Sequence, residues 1–238
     1  MSLTLALDSA VSGLSTAQAG LDTISSNIAN VNTAGYTRKI NNQVSVDLAG
    51  QGAGVDIGPI TRNVDQNLLQ SLRTTNGNAG SLTVLNNYLT QVQDTFGTTA
   101  ANSSIAAAVN NLAQQFTTLS TSPIDPTAQL QAVQAGTSLV NNLATMGNTV
   151  QTLRQNADNQ ITTAVTQINS DLQTISSLNN QIAIGTASNQ DTTDLQDKRD
   201  AALNDLSNLV DIRYFQNSNG TWETVVAWLS TSVVPSVV

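Results

Sequence analysis

Apolar residues recur every seven positions along the opening stretch of the chain. Leu7, Leu14, Leu21 and Ile28 occupy one heptad position, and Leu3, Ala10, Ala17, Ile24 and Val31 the other. This spacing predicts a helix with one uncharged apolar stripe, the seam along which another helix packs. Ser2 is available as its cap. The repeat runs into Asn27-Ile28-Ala29-Asn30-Val31-Asn32-Thr33-Ala34-Gly35-Tyr36, which reads as a stop and turn. Asn30 and Asn32 are expected to tolerate left-handed geometry there, Gly35 to take a positive φ, and Tyr36 to anchor the chain reversal.

The period then changes. Gln43 to Leu48 alternates apolar and polar residues, and Val55-Asp56-Ile57 with Ile60 reads as a second short strand, so a small hairpin is predicted. Gly50-Gln51-Gly52-Ala53-Gly54 between them is expected to be a flexible joint. It is not a phosphate loop, since no helix start and no Lys follow it.

Helical spacing returns at Val64 with Leu68, Leu69 and Leu72. A Gly/Asn break is expected at Asn76–Gly80 before Leu82, Leu85, Leu89, Val92 and Phe96. A further helix is predicted from Ser104 to about Leu119, closed by Ser122-Pro123-Ile124-Asp125-Pro126. The longest follows: from Leu139 to Ile182 apolar residues step by three or four, giving about 55 helical residues from Pro126, or roughly 80 Å. Gly185 and Ser188-Asn189 are expected to end it. Another helix starts at Asp194, Val210 to Phe215 alternates as a strand, and Asn217–Gly220 reads as a turn. The fold class is therefore mainly α: an elongated helical bundle or coiled coil with a small β element near residues 40–62 and short strands after 210. Four segments are expected: 1–36, an assembly helix and turn; 37–63, a β-containing connector; 64–212, the helical bundle; and 213–238, the start of a β segment with an atypical tail.

Composition narrows the function. Of 238 residues 39% are hydrophobic but only 3% aromatic, which suits thin helix-on-helix seams of Leu, Ile, Val and Ala. Sixteen acidic against eight basic residues give a net charge of −8 without a basic cluster, so nucleic acid and anionic membrane surfaces are not expected partners. Nor is membrane insertion expected, because no run of about 20 apolar residues occurs. The N-terminus lacks the pattern of a cleavable secretion signal.

Enzymatic activity is not expected. The chain has no His and no Cys, and its one Glu is Glu223, so nucleophile–base pairs, imidazole or thiolate metal sites and a glycosidase acid pair lack their parts. No cofactor, metal or catalytic residue is assigned. Asp191, Asp194, Asp197 and Asp200 recur every three residues. Lys198 and Arg199 among them favour helix capping and ion pairing over a cation site, with Arg199 expected to meet a carboxylate of a neighbouring helix. Trp222 and Trp228 are read as exposed strand residues.

Three sets of residues carry a resemblance. Ser12-Gly13-Leu14, Leu21 and the turn motif of Asn27, Ala29, Asn30, Asn32, Thr33, Gly35 and Tyr36 form the first. The second is Gly54-Val55-x-Ile57, Ile60-x-Arg62-x-x-Asp65 and Leu72-Arg73. The third is Phe116, Leu119 and Pro123, then Ile168-Asn169, Ile175-x-x-Leu178-Asn179-x-x-Ile182 and Asp194-Leu195-x-Asp197-x-Arg199-Asp200. Over about residues 1–216 the chain resembles bacterial flagellar axial proteins, and most the hook-associated protein 1 family at the junction between hook and filament. Beyond Asn219 the family continues through strands to a C-terminal helix, and Trp222 to Val238 departs from that pattern, as in a truncated or frameshifted chain.

The resemblance implies a structural subunit of the extracellular flagellum, secreted through the type III export route. Its implied partners are other copies of itself, hook protein and the second junction protein, with an export chaperone as a further candidate. The expected interface is Leu3, Leu7, Ala10, Leu14, Ala17, Leu21, Ile24, Ile28 and Val31. Mediocre helix formers around so thin a seam make the isolated helix marginal, so it is expected to order on joining neighbours. The alternatives are a hook or rod subunit, which would be β-rich over 64–212, and a secreted coiled-coil effector or adhesin.

Overall fold

The computed structural model describes residues 3–48, 50–97, 104–216 and 222–226; side chains are described outside 214–216 and 222–226. Ser2, the turn at 217–220 and Trp228 lie outside these residues, as does the Trp222 side chain. Five helices dominate the described residues: α1 (Leu3–Ala29), α2 (Gln66–Phe96), α3 (Ile105–Thr121), α4 (Pro126–Ala187) and α5 (Thr193–Leu209). The strands are β1 (Lys39–Ile40), β2 (Gln43–Leu48), β3 (Gln51–Ile57), β4 (Thr61–Arg62), β5 (Ile212–Gln216) and β6 (Trp222–Val226). They form three antiparallel pairs, β1 with β4, β2 with β3 and β5 with β6.

The helix boundaries follow local chemistry. The Asp65 carboxylate accepts from the amides of Asn67 and Leu68 at the start of α2, and Ser104 Oγ accepts from Ala107 N at the start of α3. The long helix α4 starts with Pro126 in its first turn, where the missing N–H costs nothing, while Asp125 accepts from Thr127 N. Its end is set by Asn189, the one described non-glycine residue with positive φ, 52°. Asn189 N donates to Thr186 O and Gln190 N to Gly185 O, which closes the last turn. Gly185 therefore lies inside α4 rather than ending it; a Cβ there would stand 2.6 Å from Thr192 Cγ2.

Three further expectations are corrected. The helix does not break at 76–80: Gly77 lies within α2, where a Cβ would come 3.1 Å from Ser207 O, so this glycine allows close packing. Gly50–Gly54 is not a loose joint, because Gln51–Gly54 pairs with β2. One extra residue falls between the pairs Val46–Gly54 and Asp47–Gly52, a bulge. Asn30 and Asn32 keep negative φ, and Gly35 alone makes the turn, at φ 80°.

Chain contacts divide the molecule into two units. The first comprises residues 1–79 and 167–238, the second 80–166. In the first, Ile175 of α4, Ala202, Leu203 and Leu206 of α5 and Ile212 form the buried core, with Ile168, Leu172 and Val210 against it. In the second, Ala128, Ala132 and Ala135 of α4 are buried, and Gly136 faces Leu112 of α3. Small side chains here let helices approach closely, in keeping with the scarcity of aromatics.

Candidate assembly interface

Helix α1 turns its polar side toward its own chain. Thr16 is only 2% exposed, and β3 packs on this side: Val55 N donates to Ser12 Oγ at 3.2 Å. The hydroxyls of Ser12 and Thr16 are satisfied within the helix, donating to Ser9 O and Ser12 O. The apolar stripe lies on the other side. Leu14 is 72%, Leu21 63% and Val31 74% exposed, and Leu3, Leu7, Ala10, Ala17, Ile24 and Ile28 are exposed as well. Helix α1 is seated on its own hairpin, and its seam is left open.

The turn motif is a hydrogen-bonded clasp. The Asn27 carboxamide acts as a strand partner for Lys39: its Nδ2 donates to Lys39 O and its Oδ1 accepts from Lys39 N, each at 2.9 Å. Tyr36 Oη donates to the same Oδ1 at 3.0 Å, which ties the ring to the helix end as the sequence suggested. Asn30 Nδ2 donates to Ser26 O, and Thr33 Oγ1 donates to Asn30 Oδ1. A Cβ placed on Gly35 would stand 3.7 Å from Ala201 Cβ on α5. Ala29 and Asn32 are exposed.

Behind the clasp, the acidic face of α5 holds the connector. Pairing of β1 with β4 sets Lys39 opposite Arg62. Lys39 Nζ pairs with Asp194, and Arg62 Nη1 reaches Asp197 at 2.8 Å and Asp200 at 2.7 Å. Thr37 donates to Asp197 through both N and Oγ1, and Arg73 of α2 joins Asp200 and Asn204. Arg62, Arg73, Asp197 and Asp200 are buried, so each charge depends on its partners. The three-residue spacing is thus an ion-pairing face. Arg199, 1% exposed, donates from Nη1 to the Asn179 carboxamide oxygen of α4. Burial pushes its guanidinium down to about 10; Asp200 opposes the shift, while Arg62 and Arg73 add to it.

A groove of about 700 Å³ opens beside the end of the seam, walled by Ile24, Ile28, Val31, Tyr36 and Ile40, with Arg38 and Asn41 also lining it. Sequence reasoning did not single out Asn41 or the contact of Ser12 with Gly54, because neither has a linear signature.

Two family models match. Residues 7–37, the seam and turn, match the flagella basal body rod protein family. Residues 89–227, more than half of the chain, match the flagellar hook-associated protein FlgK helical domain. The chain belongs to the FlgK family. It is 28% identical to flagellar hook-associated protein 1 of Escherichia coli over 228 residues, covering 93% of this chain and 41% of that protein. To the Bacillus subtilis protein of the same name it is 28% identical over 232 residues, 91% of this chain and 45% of that one. The structure of the flagellar hook junction protein FlgK from Burkholderia pseudomallei superposes with a TM-score of 0.56 at 30% identity, covering 68% of this chain and 27% of that one. The chain thus spans about two fifths of the length of these curated FlgK relatives. The mainly helical fold expected from the sequence is the fold of this family.

Proposed function

We propose that this chain is a structural subunit of the bacterial flagellum, joining hook to filament, and that it assembles through the seam of α1. One observation carries the reading: eight aliphatic positions from Leu3 to Ile28, followed by Val31 just past the helix end, are exposed together on a helix whose other side is already occupied by its own hairpin. A stripe of that length turned to water marks a surface built to be covered by protein. The names of the relatives, a hook-associated protein and a hook junction protein, support reading that assembly as the flagellar hook–filament junction. The partners are other copies and neighbouring axial proteins, and the location is the extracellular flagellum, reached by export of the unfolded chain, with a chaperone where one is needed. Catalysis has no place in this role. A hook or rod subunit is less well supported, since the described residues between 66 and 209 are almost wholly helical.

The test is Leu21→Asp. The expected outcome is loss of incorporation into isolated hook–filament structures with an unchanged circular dichroism spectrum and melting temperature, because the substituted side chain is exposed. Incorporation at the unsubstituted level would contradict the reading. A chain that remains monomeric and joins no flagellar polymer would favour a secreted coiled-coil effector or adhesin.

A further inference from the structure

Strand β2 presents an edge that pairs with no strand among the described residues. It belongs to a two-stranded sheet whose other member is β3, and all six of its residues, Gln43 to Leu48, are exposed. A neighbour fixes the direction of its backbone. Val55, which stands opposite Ser45, turns its N–H away from β2 to donate to Ser12 Oγ. In an antiparallel ladder the N–H and C=O of one residue point to the same side, so Ser45 and Val55 form a pair without mutual hydrogen bonds. Both backbone groups of Ser45 therefore face the outer edge, and the alternation of the ladder gives Gln43 and Asp47 the same direction. Val44 and Val46, 52% and 39% exposed, share one face of the strand. This edge has few of the usual guards against pairing. It bears no Lys and no Pro, Asp47 is its one charge, and the extra residue of its bulge falls on β3.

We propose that β2 pairs edge to edge with β2 of a second copy of this chain, antiparallel and centred on Ser45. The sequence selects this occupant because it is complementary to itself. Around that centre Ser45 meets Ser45 of the other copy, Val44 meets Val46, and Gln43 meets Asp47. The outward N–H and C=O groups then find their counterparts, aliphatic side chains oppose each other on one face, and each carboxylate lies opposite a carboxamide. Other registers are poorer. A slip of one residue sets outward-facing groups against inward-facing ones. A slip of two centres the contact on Val44 or on Val46. The first sets Asp47 and Leu48 opposite residues outside β2, and the second makes the two Asp47 side chains diagonal neighbours about 7–8 Å apart. Centred on Ser45, two hairpins join into one four-stranded sheet, past the strand number at which a sheet becomes stable by itself. The contact is two-fold and closed, so it pairs copies without extending a polymer. It goes beyond the assembly reading above and does not depend on it, since the seam of α1 takes no part.

The chain contains no cysteine, so single cysteines can be read without background. Full-length chains carrying Gln43→Cys, Val44→Cys, Ser45→Cys, Val46→Cys or Asp47→Cys are oxidised at equal concentration, and the covalent dimers are measured. The yield should be largest for Ser45→Cys, where the Cα separation of a hydrogen-bonded antiparallel pair, about 5.5 Å, suits a disulfide. Mixing the variants at 43 and 47 should give an excess of 43–47 links over 43–43 and 47–47 links. In sedimentation experiments Ser45→Pro should weaken pairing by about tenfold or more, because it removes a donor at the centre of the contact. It should leave the melting temperature of the dilute chain unchanged, since proline is tolerated where the N–H faces away from its own sheet. A yield maximum at another position, no excess of mixed links, undiminished pairing or a lowered melting temperature in Ser45→Pro, or a chain that stays monomeric overturns the proposal. Leu21→Asp should leave the 45–45 yield unchanged. If pairing is lost in Leu21→Asp but kept in Ser45→Pro, association runs through the seam: the edge contact falls and the seam reading stands.

Discussion

Gly54 lies directly against Ser12. A Cβ at position 54 would overlap Ser12 Oγ and stand 3.3 Å from Ser9 Cα, and the neighbouring Val55 amide donates to that same Oγ. This approach of backbone to helix is what seats β3 on the polar side of α1. Gly54 also holds φ at 129°, a conformation that side chains resist. Gly54→Ala is therefore expected to destabilise the seating by about 1–3 kcal/mol. Hydrogen exchange should show faster exchange in residues 43–57 and in the first half of α1. Protection equal to that of the unsubstituted chain would show that the hairpin is held elsewhere.

Asp200 is shared by two buried guanidinium groups, Arg62 of β4 and Arg73 of α2. Its removal takes one carboxylate from each of them, leaving Arg62 with Asp197 and Arg73 with Asn204 among the partners described, in a place that water barely reaches. Asp200→Ala should cost about 3–5 kcal/mol, the range seen when one partner of a buried ion pair is removed. Urea unfolding followed by circular dichroism gives the number. A loss below about 1 kcal/mol would mean that the network behaves as an exposed one.

Two helical glycines should respond with opposite sign. Gly147 in α4 has nothing within 4 Å of the place a Cβ would take, so Gly147→Ala gains helix propensity and should stabilise by about 0.5–1 kcal/mol. Gly77 in α2 faces Ser207 O, with Val210 O and Asp211 Cα close by. Gly77→Ala should therefore destabilise by about 1–3 kcal/mol through overpacking. Melting temperatures of the two variants measured side by side would decide, and equal shifts would remove the packing role given to Gly77.

Much of the fold was legible because its signals are local. Ser104 and Asp125 sit where a helix must start, Asn189 where one must end, and the seven-residue repeat marks the stripe of α1. The stop at Gly35 and the anchoring by Tyr36 could be read for the same reason. Three of the misreadings were of one kind. Gly77, Gly185 and Gly54 look like breaks in a linear reading, yet each is a place where another part of the chain comes close.

The sequence alone determined the helices, their caps, the acidic spacing of α5 and the existence of an apolar seam, since all of these depend on residues within a few turns of each other. Only the tertiary structure decided which side of α1 meets its own chain, that Lys39 and Arg62 reach Asp194, Asp197 and Asp200, and that the Asn41 carboxamide ends up buried without a partner among the described residues. Those outcomes join residues more than a hundred positions apart, or set a hairpin on one side of a helix rather than the other. No short-range periodicity encodes such a choice, because it is settled by how close two backbones can come once the chain closes on itself.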